Sequence, residues 1–222
     1  MNAALVCSCG LLLEHAGEKL LIDAPNCALP PFYALPDEAA ERLSADTEIC
    51  GLLFTHLHPD HYDGARVKRF LHSPGRPVCF LPDENMPLRV EADIGSFHFE
   101  AVRFAHTPAP QFAELAHYVF LITAGGRTVY LAADAEPNAD RHRAILQGRR
   151  IDAAFFNSQC LSYPEMRTLL SVCAKEAFIY HMPADAADCA GIGRKCARNL
   201  ARFGAEVPNV RVLTQYPTFL QI

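Results

Sequence analysis

The sequence predicts an α/β fold in which two packed β-sheets lie between outer layers of helices. Strand-like segments occur in both halves of the chain, helical segments occur near residue 65 and after residue 138, and half of the 222 residues are hydrophobic. Sheets that bury one face against each other and the other face against helices satisfy this pattern. A chain of this length can bury one large core, so we expect a single domain over residues 1–222.

The first half of the chain is predicted to be mostly strands. A hairpin is indicated by strands at 11–14 and 19–23 around a turn at 15–18. A Pro-rich loop over 24–36 leads to a short helix at 37–43, with carboxylates at its start. Residues 49–54 are typical of a buried strand, and residues 65–71 have helical spacing. Two or three strands then lead from residue 78 to residue 104.

The second half alternates strands with helices. Strands at 117–123 and 128–133 flank a turn at 124–127 and form a second hairpin. A helix at 139–147 precedes a strand at 151–156, a helix at 164–174 precedes a strand at 177–180, and a longer helix covers 186–203. Two short strands, 210–213 and 218–222, close the chain.

Charge and cysteine content bound the class of protein. The net charge of −5 and the pI near 6.0 give no general attraction to nucleic acid, which is therefore not an expected partner. The N-terminus has no basic leader-like stretch, and the apolar runs are shorter than a membrane span. Nine cysteines without framework spacing are typical of a reducing compartment. We expect a cytoplasmic protein without membrane contact; the oligomeric state stays open, a homodimer included.

The strongest functional signal directly follows the strand at 49–54. The run Thr55-His56-Leu57-His58-Pro59-Asp60-His61 has four metal-capable side chains within six residues. Because loops at strand ends are held by a rigid sheet, they can bring several side chains to one point. Imidazole nitrogen suits zinc and other first-row metals, and the carboxylate also suits harder ions. The run therefore predicts a metal site.

This run resembles the His-x-His-x-Asp-His signature of the metallo-β-lactamase superfamily, and the resemblance extends over nearly the whole chain. Residues 19–25 look like the family's early strand, which ends in an acidic residue, here Asp23. Residues 127–134 look like the strand whose terminal Asp bridges two metals, with Ala133 in place of the usual Gly before Asp134. Residues 177–181 look like the late strand that delivers the last His, His181. The resemblance implies an αββα four-layer sandwich.

The resemblance also implies which side chains hold two metals. One metal would be held by His56, His58 and His106, the other by Asp60, His61 and His181, with Asp134 bridging the two. The chain offers both His106 and His117 between the signature and the bridging Asp. We prefer His106, since His106-Thr107-Pro108 follows an alternating segment and matches the family's His-Thr-Pro element. His117 opens a strand, after what looks like an insertion at 110–116, and can instead line the site or cap that strand.

Other residues near the site are open to two interpretations. Asp23 either positions a ligand His or is a turn residue before Pro25. Cys27 is the cysteine that we expect to approach the site, and the loop at 24–36 could cover it. The segment 189–195 could place backbone amides and Lys195 near a phosphate at a helix N-terminus, or simply be an irregular helix start.

The function that the resemblance implies is that of a metal-dependent hydrolase in which two divalent ions share a hydroxide. Zinc is the expected metal, with manganese or iron as alternatives, and Asp60 is the expected catalytic residue because it would orient the hydroxide. His58 stands where diiron redox members usually carry Glu, which favours hydrolysis. The compact chain disfavours a glyoxalase II-like thioesterase, so we expect a small phosphodiester or lactone substrate. The alternatives are a thioesterase or other hydrolase, and a metal-binding sensor or partner protein without turnover.

Overall fold

The computed structural model describes residues 1–108, 111–183 and 187–222. The regular elements of these ranges are β1 (Asn2–Leu5), β2 (Leu11–His15), β3 (Glu18–Ile22), α1 (Asp37–Ala45), β4 (Ile49–Leu53), α2 (Gly64–Leu71), β5 (Val78–Phe80), β6 (Arg89–Ile94), β7 (Phe97–Arg103), β8 (Tyr118–Ala124), β9 (Arg127–Leu131), α3 (Ala139–Leu146), β10 (Ala153–Asn157), α4 (Pro164–Leu170), β11 (Glu176–Tyr180), α5 (Ile192–Phe203), β12 (Val210–Val212) and β13 (Thr218–Gln221). Within the described ranges, no helix is both long and apolar enough to cross a membrane.

The strands form two sheets. The first has six strands in the order β13-β1-β2-β3-β4-β5, and the second has seven in the order β12-β11-β10-β9-β8-β7-β6. In the first sheet β3, β4 and β5 run parallel. In the second, β9 to β12 run parallel, while β8 is antiparallel to both β7 and β9. The carboxyl ends of β3 and β4, and those of β7, β9 and β11, are therefore at one edge of their respective sheets.

Three layers of apolar contact hold the sandwich together. The central layer joins the inner faces of the two sheets, and Phe97, Phe99 and Ala101 from β7 contribute to it at the alternate positions that the sequence predicts. Helices α1 and α2 pack on the outer face of the first sheet through side chains such as Phe70. Helices α3, α4 and α5 pack on the outer face of the second sheet, for example through Met166. The predicted αββα four-layer sandwich is confirmed.

Several boundaries differ from those that the sequence predicts. Strand β1 was not predicted; it is placed by pairing with both β2 and β13. Helix α4 ends at Leu170, before Ala174, and the N–H of Val172 bonds to the carbonyl of Leu169 three residues back, in a tighter turn than that of an α-helix. Helix α5 begins at Ile192, since Gly191 has a left-handed φ of 70° that a helix cannot continue through. The predicted start of that helix at Ala186 lies outside the described residues, as does the start of the insertion predicted at 110–116.

Candidate metal centre

The predicted ligands lie at the shared edge of the sandwich, and they come from both sheets. His56, His58, Asp60 and His61 follow β4 in the first sheet. The other three follow strands of the second sheet: His106 after β7, Asp134 after β9 and His181 after β11. Loops at these strand ends face one another across the sandwich, so residues far apart in sequence meet. The structure brings all seven of these side chains together.

Three histidines form one compact group. The ligand atoms of His56, His58 and His106 all lie within 4.8 Å of one another, and Nε2 of His56 is 3.3 Å from Nε2 of His106. His56 and His106 are buried, while His58 is half-buried at the mouth of the site. In contrast, His117 belongs to no such group among the described residues. The geometry therefore favours His106 over His117 as the third member, and its role as a ligand stays a prediction.

Asp134 lies in the middle of the histidines. Its Oδ2 is 3.5 Å from Nε2 of His61, 3.5 Å from Nε2 of His106 and 4.0 Å from Nε2 of His56. Its Oδ1 is 3.2 Å from Nδ1 of His181. One carboxylate thus faces members of both predicted ligand sets, which is the position that a bridging ligand needs. On the far side of His181, its Nε2 is 3.3 Å from Oδ2 of Asp60.

The charge states of the site follow from burial and from these carboxylates. Burial holds the pKa of His56 well below its ordinary value and also lowers the pKa of His58. Burial acts in the same direction on His61, but the carboxylates of Asp23 and Asp134 outweigh it and raise the pKa of His61 well above the ordinary value. Asp134 likewise raises the pKa of His181 against the effect of burial. Without metal, His61 and His181 therefore hold protons on nitrogens that metals would use.

The carboxylates of Asp134 and Asp60 both stay ionised. Burial pushes the pKa of Asp134 up, but His181 and its other histidine neighbours hold it well below the usual range. Burial also opposes ionisation of Asp60, and the His181 imidazole, whose Nε2 lies 3.3 Å away, keeps the pKa of Asp60 below its usual value. Ionised carboxylates beside neutral or displaceable histidine nitrogens are the donor set that a divalent cation prefers.

Asp23 supports the candidate metal centre through Thr55 and His61. This carboxylate is fully buried; its Oδ1 accepts the backbone N–H of Thr55 at 2.7 Å, and its Oδ2 accepts the Thr55 hydroxyl at 2.8 Å. Oδ2 also lies 3.0 Å from Nδ1 of His61. Such a carboxylate orients the imidazole and leaves its Nε2 for a metal. Of the two interpretations that the sequence allows, the structure favours the positioning role.

The cysteine nearest the ligands is Cys9, not Cys27 as we expected. Cys9 is fully buried, and its Sγ lies within 4.8 Å of ligand atoms of His61 and His181. The thiol donates to the backbone oxygen of Asp60 at 2.7 Å, so it supports the loop that carries the signature. The Cys27 thiol instead lies near Asp63, and the contact of Cys27 with the signature loop is made by its backbone N–H, which donates to the carbonyl of Pro59 at 2.7 Å. The loop between β1 and β2 that carries Cys9 gives no sequence signal that it approaches the centre.

Backbone conformation at the strand ends is unusual. Asp23, Ala133 and His181 have left-handed φ angles of 50°, 47° and 56°, although none of them is glycine. Each of these residues directly follows, or lies within two residues of, the end of a strand that leads to the site. Left-handed backbone at non-glycine residues stores strain and concentrates at functional sites. At Ala133, glycine would adopt this backbone conformation without strain.

A cleft of about 490 Å³ opens beside Asp134 and His181. Phe32 from the loop at 24–36 lines it and stacks on the His181 ring, with centroids 4.0 Å apart. Ser158 and Lys195 also line the cleft, as does Asn157, whose amide is already committed to the carbonyls of residues 133 and 135. The cleft is wide enough for a small substrate.

The start of α5 does not offer free amides to a phosphate. Oδ2 of Asp188 accepts the backbone N–H of Arg194 at 3.2 Å. Burial opposes ionisation of Asp188, but hydrogen bonds from the backbone of Arg194, Gly193 and Ile192 hold its pKa below the usual value. The helix end thus binds a carboxylate of its own chain, and Lys195 is the charged residue of this segment that lines the cleft.

Comparison with known proteins identifies the fold. No protein-family model matches the sequence, and a search of curated proteins gives no match. An isothiocyanate hydrolase from Delia radicum gut bacteria superimposes with a TM-score of 0.73 at 16% identity, covering 100% of this chain and 99% of that one. A possible metal-dependent hydrolase from Veillonella parvula gives 0.73 at 14% identity with the same coverage. A metallo-β-lactamase fold protein from Bacillus subtilis gives 0.66 at 12% identity, covering 99% and 98%.

Proposed function

We propose that this chain, which has the metallo-β-lactamase fold, is a metal-dependent hydrolase that holds two divalent ions, with zinc the expected metal. One observation carries the proposal: seven side chains with ligand chemistry meet at one edge of the sandwich, and buried imidazole nitrogens among them face carboxylates of the same cluster without forming hydrogen bonds within the described ranges. Nε2 of His61 faces Oδ2 of Asp134 at 3.5 Å and Nε2 of His181 faces Oδ2 of Asp60 at 3.3 Å, and neither contact within the described ranges has the geometry of a hydrogen bond. Buried polar atoms are rarely left unpaired, and a metal ion satisfies imidazole nitrogens of this kind.

The donor set fits two ions. The first would take His56, His58 and His106, the second would take Asp60, His61 and His181, and Asp134 would bridge them. When bound, two such ions lower the pKa of a water molecule towards neutrality and polarise the oxygen of the substrate. Asp23 and Thr55 fix the orientation of the His61 and His56 rings through their Nδ1 atoms. The rings therefore present Nε2 to the centre without further rearrangement.

The chain's own side chains would orient the attacking water and limit the access of bulk water to the centre. Asp60, which His181 keeps ionised, is the candidate to accept a hydrogen bond from the attacking water and to orient it. Phe32 covers the His181 side of the centre and limits the access of bulk water. Because His61 and His181 hold protons in the metal-free protein, each ion must displace a proton, and metal affinity should rise with pH.

The cleft favours a small substrate, and Lys195 favours an anionic one. Lys195 brings a positive charge to the border of the cleft, on the side of Asp134 and His181. A cation at this position can pair with the negative oxygen of a phosphodiester, or with an oxygen on which charge develops during opening of a lactone. These contacts support a small phosphodiester or a lactone as the substrate, with the phosphodiester first because it is charged before reaction.

A second candidate is a small neutral electrophile such as an isothiocyanate. Phe32 stacks on His181, and the Phe112 ring lies edge-on to His58 and His106 at 5.0 and 4.9 Å. Apolar walls on both sides of the histidines suit a neutral, apolar group better than a charged one. The isothiocyanate hydrolase that shares this fold at full coverage makes this substrate class worth including in the assay.

The test combines metal analysis with a substrate panel. We expect two zinc ions per chain, and hydrolysis of bis(p-nitrophenyl) phosphate or a lactone that chelator abolishes and zinc or manganese restores. Thioester, β-lactam and isothiocyanate substrates complete the panel. His58→Ala should lose both metal and activity, whereas His98→Ala, a half-exposed histidine on β7 that pairs with Asp93, should keep both.

Two outcomes would contradict the proposal. If the fully loaded protein hydrolyses nothing in the panel above background, the chain is a metal-binding sensor or partner protein rather than a hydrolase. If it takes up no divalent metal under conditions in which it is folded, the metal centre itself is wrong.

A further inference from the structure

His117 is a buried imidazole that the proposed chemistry does not use. It is fully buried, and its ring centroid lies 5.1 Å from that of His56 and 5.5 Å from that of His106. Neither Nδ1 nor Nε2 of His117 has a hydrogen-bond partner in the part of the chain that the structure describes. A neutral imidazole carries one N–H and one lone pair, so an apolar side chain of similar size would fill this space at lower cost. The polar ring therefore requires a reason.

His106 also has a ring nitrogen without a hydrogen-bond partner among the described residues. A metal-binding imidazole generally donates its other ring N–H to a carboxylate, a carbonyl or a water. His61 meets this condition through Asp23 at 3.0 Å, and His56 has the Thr55 hydroxyl at 3.1 Å. Nδ1 of His106 is buried and has no partner among the described residues, although its Nε2 faces Asp134. His106 is the buried member of its group that lacks such support.

Backbone hydrogen bonds hold His117 between the segment that leads from β7 to His106 and the segment that leads from β4 to His56. Its carbonyl accepts the N–H of Phe104 at 2.9 Å, two residues before His106. The next N–H along the chain, that of Tyr118, donates to the carbonyl of Thr55 at 2.8 Å, directly before His56. The His117 side chain is thus held at a constant position relative to both neighbouring rings, which a positioning role requires.

We propose that His117 is a positioning residue for His106, which it meets through one water shared between the two rings. The ring centroids lie 5.5 Å apart at an interplanar angle of 88°, and Nδ1 of His106 and both nitrogens of His117 make no direct hydrogen bond in the described part of the chain; one water between the rings would pair Nδ1 of His106 with a nitrogen of His117. In this arrangement Nδ1–H of His106 donates to the water and the water donates to the lone pair of His117. The lone pair on Nε2 of His106 then points at the metal. This inference rests on the proposed metal centre and adds a residue to its support.

The experiment measures zinc affinity and stability separately. His117→Phe and His117→Leu remove both nitrogens, and His117→Gln keeps a donor and an acceptor. We expect both apolar variants to be at least as stable as the wild type without metal, yet to bind one zinc about 10- to 100-fold more weakly in chelator competition. His117→Gln should recover most of that affinity. His142→Phe is the matched control: this buried histidine is fully paired, to Tyr130 at 2.6 Å and to the carbonyl of Glu136 at 3.1 Å. It should lose stability and keep wild-type zinc affinity.

Each other result overturns the inference. Unchanged zinc affinity in the apolar variants would make His117 a packing residue, and failure of both to fold without metal would assign it to the fold. Complete loss of one zinc in these variants, with two zincs kept by His106→Ala, would make His117 the ligand. If the wild type itself binds no zinc, the proposed function fails first, so the two failures are distinguishable.

Discussion

Replacing Asp23 by Asn is the sharpest test of how the centre is supported. The variant keeps the shape of the side chain, and Asn tolerates the left-handed φ of 50° at this position. The carboxylate accepts three hydrogen bonds, two from Thr55 and one from Nδ1 of His61. If the amide oxygen introduced at position 23 still accepts the hydrogen bond from the Thr55 N–H, the new NH₂ group faces Nδ1 of His61. That contact favours a lone pair on Nδ1 and moves the proton to Nε2, where the metal should bind.

The expected magnitude follows from this change of tautomer. Loss of a partner of this kind lowers metal affinity by about 10- to 100-fold, which corresponds to about 1.4–2.7 kcal/mol. Only the ion held by His61 should weaken, so chelator competition should resolve one weakened zinc and one unchanged zinc. Asp152→Asn is the matched control, because Asp152 is also buried and accepts hydrogen bonds from Arg127 and the backbone of Thr128, in a turn away from the centre.

The control variant should lose stability without a change in zinc affinity. Wild-type affinity for both ions in a folded Asp23→Asn protein would refute the positioning role of Asp23. Equal weakening of both ions in Asp23→Asn and Asp152→Asn would refute it as well, since the effect would then reflect general stability.

Four further outcomes are expected. Asp60→Asn should lower kcat by at least about 100-fold with little change in KM. A rise in KM of that size with kcat unchanged would exclude an orienting role. Lys195→Met should raise KM about two- to fivefold for the phosphodiester and leave a lactone unaffected; identical changes for both substrates would remove Lys195 from anion recognition. Ala133→Gly should stabilise the protein by about 1 kcal/mol in urea unfolding, because φ is 47° there, and a lower stability would show that the position is unstrained. Burial lowers the pKa of His142 from 6.5 to about 4, so the stability that the neutral ring contributes is lost as the pH falls from 6.5 through 4. Relative to His142→Gln, the free energy of unfolding of the wild type should fall by about 3 kcal/mol between pH 7 and pH 4. Parallel pH profiles of stability for the two proteins would contradict the shift.

The sequence was informative where chemistry is local. The four ligand candidates that follow β4 lie within six residues of the chain, and the strand before them predicts that they share one edge of the sheet. His106, Asp134 and His181 could be proposed only through the family resemblance, because they are distant in sequence and the geometry that unites them belongs to two packed sheets. The structure brings these residues together, and their binding of metal is still a prediction.

What the sequence did not reveal depends on long-range contacts. Cys9 approaches the ligands because β1 and β2 place their connecting loop beneath the signature loop, and the Cys-Ser-Cys segment itself carries no mark of that position. The support from Asp23 was undecided for the same reason: a turn carboxylate and a buried hydrogen-bond acceptor look alike in sequence. The start of α5 depends on Asp188 and Gly191, a cap that hydrophobic periodicity does not detect.

The origin of the ligands in both sheets has a mechanical consequence. Four candidate ligands move with the first sheet and three with the second, so an ion at the centre joins the two halves of the sandwich at one edge. Metal binding should therefore slow the separation of the sheets and protect the amides near that edge from hydrogen exchange. The coupling also acts in reverse. A substitution deep in the central apolar layer that slides one sheet against the other, far from any ligand, should change zinc affinity before it changes the overall fold.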